Sequence, residues 1–321
     1  MLNKFLLSGL FYLFSINLSI AEQKHSPFHN KRVMVLGDSI TKVGLYYRYM
    51  DYYLQKNFPK DKIDIIGIGL GSETASGLSE KQHPFPRPCI HERVGRALAQ
   101  IKPDIVSICY GMNDGIYHPF SSERFAAYQK GILSLINKIK ATGAEVIVLT
   151  PPPFDPHSIP SRKTLLKDGA ADYSFINIFY KYNDVLAKYG AWVKSLEIEG
   201  VTIYDIHTPL QKHLVKMRET DPAYSLHGDG IHPHALGHLL MARTLLKSMN
   251  LPHGNLPLEE EAKLVNADLL WRRLRLKSGL LSKAWLEYIG YTRGDVVKSD
   301  SIDQALQKAA DLQVQIDQLR K

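Results

Sequence analysis

Three short runs of the sequence carry side-chain types that together could perform acyl transfer. In Gly37-Asp38-Ser39-Ile40 a serine follows the apolar run Val33 to Leu36, where a strand gives way to a helix. A hydroxyl at such a bend is exposed, and its backbone N–H lies at the helix start, suited to an oxyanion. Alone, the tripeptide reads equally well as a turn with a helix N-cap. Asp229-Gly230-Ile231-His232-Pro233 supplies what a serine lacks. A hydroxyl is a weak nucleophile until a base removes its proton, and that base needs a carboxylate to fix its tautomer. A spacing of three within one loop lets Asp229 serve His232, although without a serine nearby the loop would be only a capped turn. Gly111-Met112-Asn113-Asp114 adds an amide at another strand tip, a neutral donor for a tetrahedral oxyanion or, by itself, an Asx-turn.

Other candidates carry less. His227, His232, His234 and His238 cluster in sequence, but without a His-Glu-x-x-His pattern or a nearby cysteine they read as ordinary surface and helix histidines, and no metal or cofactor is expected. Asp205-Ile206-His207 is a rival carboxylate–histidine pair at the end of a strand, with no helix expected closely after it. Arg87, Tyr117 and Trp192 could line a sugar site or simply pack; Arg87 and Tyr117 are taken as candidate substrate contacts.

Positioning these groups requires a particular arrangement of elements. Short apolar runs alternate with amphipathic stretches, the pattern of a parallel sheet wrapped by helices. Strands are expected at Val33–Leu36, Ile63–Ile68, Ile105–Tyr110, Val146–Thr150 and Val201–Ile206. Helices are expected at Tyr46–Phe58, Arg124–Ala141, Phe175–Leu196 and Ala235–Met249. Sites in such α/β folds form beyond the carboxyl ends of the strands. Ser39, Ser72, Asn113 and the Asp229–His232 pair all fall there, each after a different strand.

With those residues in order, the chain resembles the SGNH hydrolase (GDSL esterase/lipase) family over about residues 32 to 248. Gly37-Asp38-Ser39 matches its first block, Gly111-Met112-Asn113-Asp114 its third and Asp229-Gly230-Ile231-His232 its last. The resemblance implies a three-layer α/β/α flavodoxin-like sandwich with a five-stranded parallel sheet, and ester hydrolysis through an acyl-enzyme. Ser39, Asp229 and His232 would form the triad, and Ser39, Ser72 and Asn113 the oxyanion hole. The second block departs from the pattern, reading Gly69-Leu70-Gly71-Ser72-Glu73-Thr74. Aligning Glu73-Thr74 with the acidic-Thr pair of the family puts the backbone donor at Ser72, which is tolerable if its φ is not strongly positive; a slip of one puts it at Gly71.

The remaining organisation bounds the context. Lys4, the apolar run Phe5 to Leu18 and Ser19-Ile20-Ala21 read as a signal peptide over 1–21, followed by a hydrolase domain over 30–250. Removing residues 1–21 takes away Lys4 and no acid, so the charge falls from +8 to +7. That mild bias reads as a solvated surface, with no nucleic-acid partner and no stable membrane insertion. Residues 251–321 read as a helical extension, with helices over Glu259–Leu276 and Ser301–Leu319. Cys89 and Cys109 are at least as consistent with two free thiols as with a disulfide. The loops after strands two and three show no long apolar lid, so acetyl or other short acyl esters of carbohydrate are the favoured substrates of a periplasmic or extracellular enzyme. A lipid esterase, an envelope-glycan O-acyltransferase and a non-catalytic carbohydrate-binding protein are the alternatives.

Overall fold

The computed structural model describes residues 25–293 and 298–320, so the signal-peptide reading lies outside the described residues. Five parallel strands form the sheet: β1 (Lys31–Gly37), β2 (Ile63–Gly67), β3 (Ile105–Cys109), β4 (Glu145–Leu149) and β7 (Val201–Tyr204), in the order β2-β1-β3-β4-β7. Two three-residue strands, β5 (Thr164–Leu166) and β6 (Asn177–Phe179), pair separately. Counting only the main sheet, this is the doubly wound order 2-1-3-4-5, whose direction of winding reverses between the first and third strands.

Val33, Met34, Val35 and Leu36 are all buried although they alternate between faces, so both faces of the sheet are covered. On one side α2 (Leu45–Asn57) packs against α7 (Ala235–Ser248). Elsewhere α4 (Ser122–Lys140) lies on β4 and on α3 (Val94–Ile101), and α5 (Tyr182–Lys194) lies on β7. The chain turns out of β1 into the five-residue α1 (Ser39–Val43), capped at its start by Asp38 and ended by Gly44 at φ 62°. Both cysteines are free.

The residues after Asn250 form α8 (Leu258–Ala267), α9 (Leu269–Ile289) and α10 (Ile302–Leu319). α9 packs on α2 and β2, and Trp271 stacks on Tyr49 with ring centroids 4.3 Å apart. α2 is therefore enclosed by the sheet and α7 on one side and by α9 on the other. This accounts for its buried run Tyr46, Tyr47, Tyr49, Tyr52, Tyr53, since a helix covered all round has no need of a polar face.

Several boundaries differ from the sequence reading. The stretch 175–196 is not one helix: the hydroxyl of Ser174 accepts from Asn177 N–H, a turn forms, and β6 pairs with β5 before α5 begins. The stretch 259–276 is two helices, because the Asp268 side chain accepts from Leu270 N–H and restarts the chain as α9. The sequence reading places no helix at α3 and none closely after Asp205-Ile206-His207, where the structure has α6 (His207–Arg218).

Candidate active site

Gly37 opens the site because nothing larger fits. A Cβ there would lie 2.2 Å from Thr41 Oγ1 and 2.8 Å from the Cys109 carbonyl. The tight exit from β1 leaves Ser39 half-buried at the first turn of α1. On the loop before α7, Gly230 stands at φ 78° and bends the chain so that Asp229 turns back on His232. Asp229 Oδ1 accepts from the backbone N–H of Ile231 (3.1 Å) and of His232 (2.8 Å), and its carboxylate faces His232 Nδ1 at 3.0–3.1 Å. A carboxylate on Nδ1 fixes the proton there, leaving Nε2 as an acceptor. Nε2 lies 2.8 Å from Ser39 Oγ. The geometry is that of a base poised on a hydroxyl, oriented by an acid.

Lys163 joins this chain, its Nζ 2.9 Å from Asp229 Oδ2. Burial acts to raise the Asp229 carboxyl, but the bond and charge of His232, with Lys163, outweigh it and hold the group well below the usual carboxylate range. Nothing in the sequence around Lys163 announces this contact.

The oxyanion side is built on Glu73. Its carboxylate, fully buried, binds Arg93 through two 2.7 Å bonds and accepts a third from Tyr110. Its backbone carbonyl accepts from Asn113 Nδ2 at 3.1 Å, and Tyr117 Oη donates to Asn113 Oδ1 at 2.8 Å. The two bonds decide which end of the amide is oxygen and leave one Nδ2 hydrogen uncommitted.

Leu70 to Glu73 form a tight turn with Ser72 at φ 68°. The condition for a serine here, a φ that is not strongly positive, is therefore not met. The left-handed conformation costs on the order of 1 kcal/mol. Ser72 is held in it by Arg87 Nη1 on its carbonyl (3.3 Å) and His83 Nε2 on its hydroxyl (3.2 Å). Gly71 and Ser72 both line the cavity, and neither backbone N–H has a protein acceptor among the described residues, so both remain available as donors.

Arg87 and Tyr117 line the same cavity, but their polar groups are already committed. Arg87 is locked to Glu80 by bonds of 2.6 and 2.7 Å with both side chains buried, and its guanidinium lies 5.5 Å from the Tyr117 ring centre. Each holds a neighbour in the site, Arg87 the Ser72 carbonyl and Tyr117 the Asn113 amide. Trp192 packs with Phe125 and Tyr128, away from the cavity. Asp205 binds Lys194 and Thr208, and His207 Nδ1 meets the Pro151 carbonyl, so the rival pair does not form. Of the four clustered histidines only His232 faces the cavity: His227 and His238 are buried and His234 caps α7.

The cavity over Ser39 measures about 880 Å³ and is open to solvent. Val43, Phe85, Phe175, Ile176 and Ile231 give it an apolar wall that the loops after β2 and β3 alone did not suggest; most of it comes from α1 and the segment entering β6. A larger cleft of about 1050 Å³ beside α9 has neither histidine nor cysteine among its described lining residues.

A doubly wound parallel sheet that brings a serine, a tautomer-fixed histidine and an acid to its switch point defines a serine hydrolase acting on carboxylic esters. More particularly, the chain belongs to the GDSL-like Lipase/Acylhydrolase family, whose model matches residues 35–240. Among solved structures, a variant of an acetyl xylan esterase from Geobacillus stearothermophilus is similar at a TM-score of 0.53 and 22% identity, over 71% of this chain and 98% of that one. A gut microbial diltiazem-metabolizing enzyme is similar at a TM-score of 0.52 and 22% identity over 71% of this chain, which spans about half (49%) of that longer protein. At such identities the likeness concerns the fold. No curated protein matches the chain in sequence.

Proposed function

We propose that the protein is an exported esterase that removes acetyl or other short acyl groups from carbohydrate. The observation that carries the reading is the unbroken chain Asp229–His232–Ser39 opening into a wide cavity instead of an enclosed apolar tunnel. His232 Nε2 takes the Ser39 proton as Oγ attacks the ester carbonyl, and Asp229 stabilises the imidazolium that forms. The oxyanion is received by the N–H of Ser39, the free hydrogen of Asn113 Nδ2 and the N–H groups at Gly71–Ser72. His232 then protonates the leaving alcohol and activates water on the acyl-enzyme. Export rests on the character of residues 1–21. A fold shared with an acetyl xylan esterase supports the choice of acyl group.

One feature favours a second reading, a lipid ester. Val43 and Ile176 stand 44% and 42% exposed on the cavity wall. Each methylene buried there would add about 0.8 kcal/mol. The test is kcat/KM for nitrophenyl acetate, butyrate, octanoate and palmitate, with acetate release from acetylated glycans and fluorophosphonate labelling of Ser39. A maximum at acetate or butyrate is expected, with labelling and turnover lost in Ser39→Ala by about three orders of magnitude or more. A maximum at octanoate or longer selects the lipid reading. Full activity in purified Ser39→Ala removes the mechanism.

A further inference from the structure

The charges around Ser39 do not balance. Among the described residues, Lys42, Arg87, Arg162, Lys163 and Arg293 line the cavity, against the single carboxylate of Asp229. Two of the five cations are matched, Arg87 by Glu80 and Lys163 by Asp229. Lys42, Arg162 and Arg293 have no carboxylate partner among the described residues. Arg293 is the most constrained of the three. It comes from the segment after α9, and its guanidinium lies over Gly71, with Nη1 3.0 Å from where a Cβ would stand there, and 5.2 Å from the Phe85 ring centre. Its Nε is buried, with no hydrogen-bond partner among the described residues. Lys42 is one turn of α1 beyond the nucleophile, and partial burial together with the charge of Arg293 pushes its ammonium down from the usual lysine range. Two cations lining one cavity without a counter-charge repel, and an anion that enters between them relieves that repulsion.

We infer that the ester is borne by a sugar acid, whose carboxylate is held between Arg293 and Lys42 while Ser39 attacks the acyl group. An acetyl group has no charge, so within the esterase reading, on which this inference rests, the negative group must sit on the sugar. A planar guanidinium matches a carboxylate in geometry as well as charge. The inference also assigns a task to the C-terminal extension: it delivers Arg293 to a site whose nucleophile and base come from the sheet.

The experiment measures binding without turnover. Trigalacturonate and neutral xylotriose are titrated calorimetrically into the full chain carrying Ser39→Ala, with and without Arg293→Gln or Lys42→Gln. Lys247→Gln, an exposed charge on α7, serves as control. The acid should bind at least about tenfold tighter than the neutral sugar at low salt. That preference should fall about tenfold with Arg293→Gln, persist with Lys247→Gln, and shrink in about 0.5 M salt, where screening is strong. Equal binding of the two sugars, or a preference untouched by Arg293→Gln and Lys42→Gln, overturns the inference. In parallel, acetylated galacturonan and acetylated xylan oligosaccharides are compared as substrates of the unmodified protein. Turnover of both at equal rates sinks the charge preference and leaves the esterase standing; tight acid binding with no ester turned over does the reverse.

Discussion

Replacing Tyr117 by phenylalanine separates two roles for one residue. The sequence suggests a substrate contact, whereas the structure points its hydroxyl at Asn113 Oδ1, 2.8 Å away, with the side chain buried. Phenylalanine keeps the ring, its place beside Tyr182 and its volume, and deletes one neutral hydrogen bond. Such a bond is worth about 1 kcal/mol net, so losing its orienting effect in the transition state should lower kcat about fivefold. The ceiling is set by removing the amide itself. Asn113→Ala should cost about 10²–10³-fold in kcat, as for other oxyanion donors. The loss is smaller in Tyr117→Phe because Asn113 Nδ2 remains tied to the Glu73 carbonyl, which Arg93 and Tyr110 hold in place. The assay is steady-state hydrolysis of nitrophenyl acetate by the two single variants and their combination. If Tyr117 acts only through Asn113, the double variant should be no slower than Asn113→Ala alone. A raised KM with unchanged kcat would return Tyr117 to the role of substrate contact. A double variant slower by the product of the two single effects would show that it acts independently of the amide.

Two further expectations concern the scaffold. Glu73→Gln leaves Arg93 charged and buried without its carboxylate, so urea unfolding should report a loss of about 3 kcal/mol or more; a loss under about 1 kcal/mol would mean the Ile68 carbonyl, 2.8 Å from Nη2, suffices. His227 and His238 are held neutral by burial, their ionisations pushed down to about 4 and about 3, with neither ring nitrogen of either residue hydrogen-bonded. The unfolded chain takes up these protons near pH 6.5 and the folded chain does not, so stability is full above about pH 6.5 and falls as the pH drops toward 4, by about 1.4 kcal/mol per pH unit for each histidine. Thermal unfolding between pH 7 and 4.5 should show that decline, and His238→Phe should flatten it; a constant Tm across the window refutes the assignment.

What the sequence determines by itself is local. Ser39 is recognisable because a strand, a glycine and a capping aspartate are written consecutively, and Asp229 with His232 because one short loop contains both the acid and the ring it orients. The main strands are legible for the same reason: each is a short apolar run that must be buried on both faces. Where local signals compete the reading slips. The run 175–196 has helical composition throughout, yet pairing of β6 with β5 claims its first residues, and only the tertiary structure decides that. The same holds for everything that reaches the site from a distance. Ser39 and His232 are 193 residues apart and meet because the sheet order sets β1 beside β3 and brings the loop before α7 to the same edge. Lys163 against Asp229, Tyr117 against Asn113, Arg93 against Glu73 and Arg293 over Gly71 have no sequence signature. A lysine or arginine in an amphipathic stretch looks the same whether it faces solvent or a cavity. Its partner is chosen by packing, because a charge can be buried only where the fold supplies a counter-charge or a ligand does.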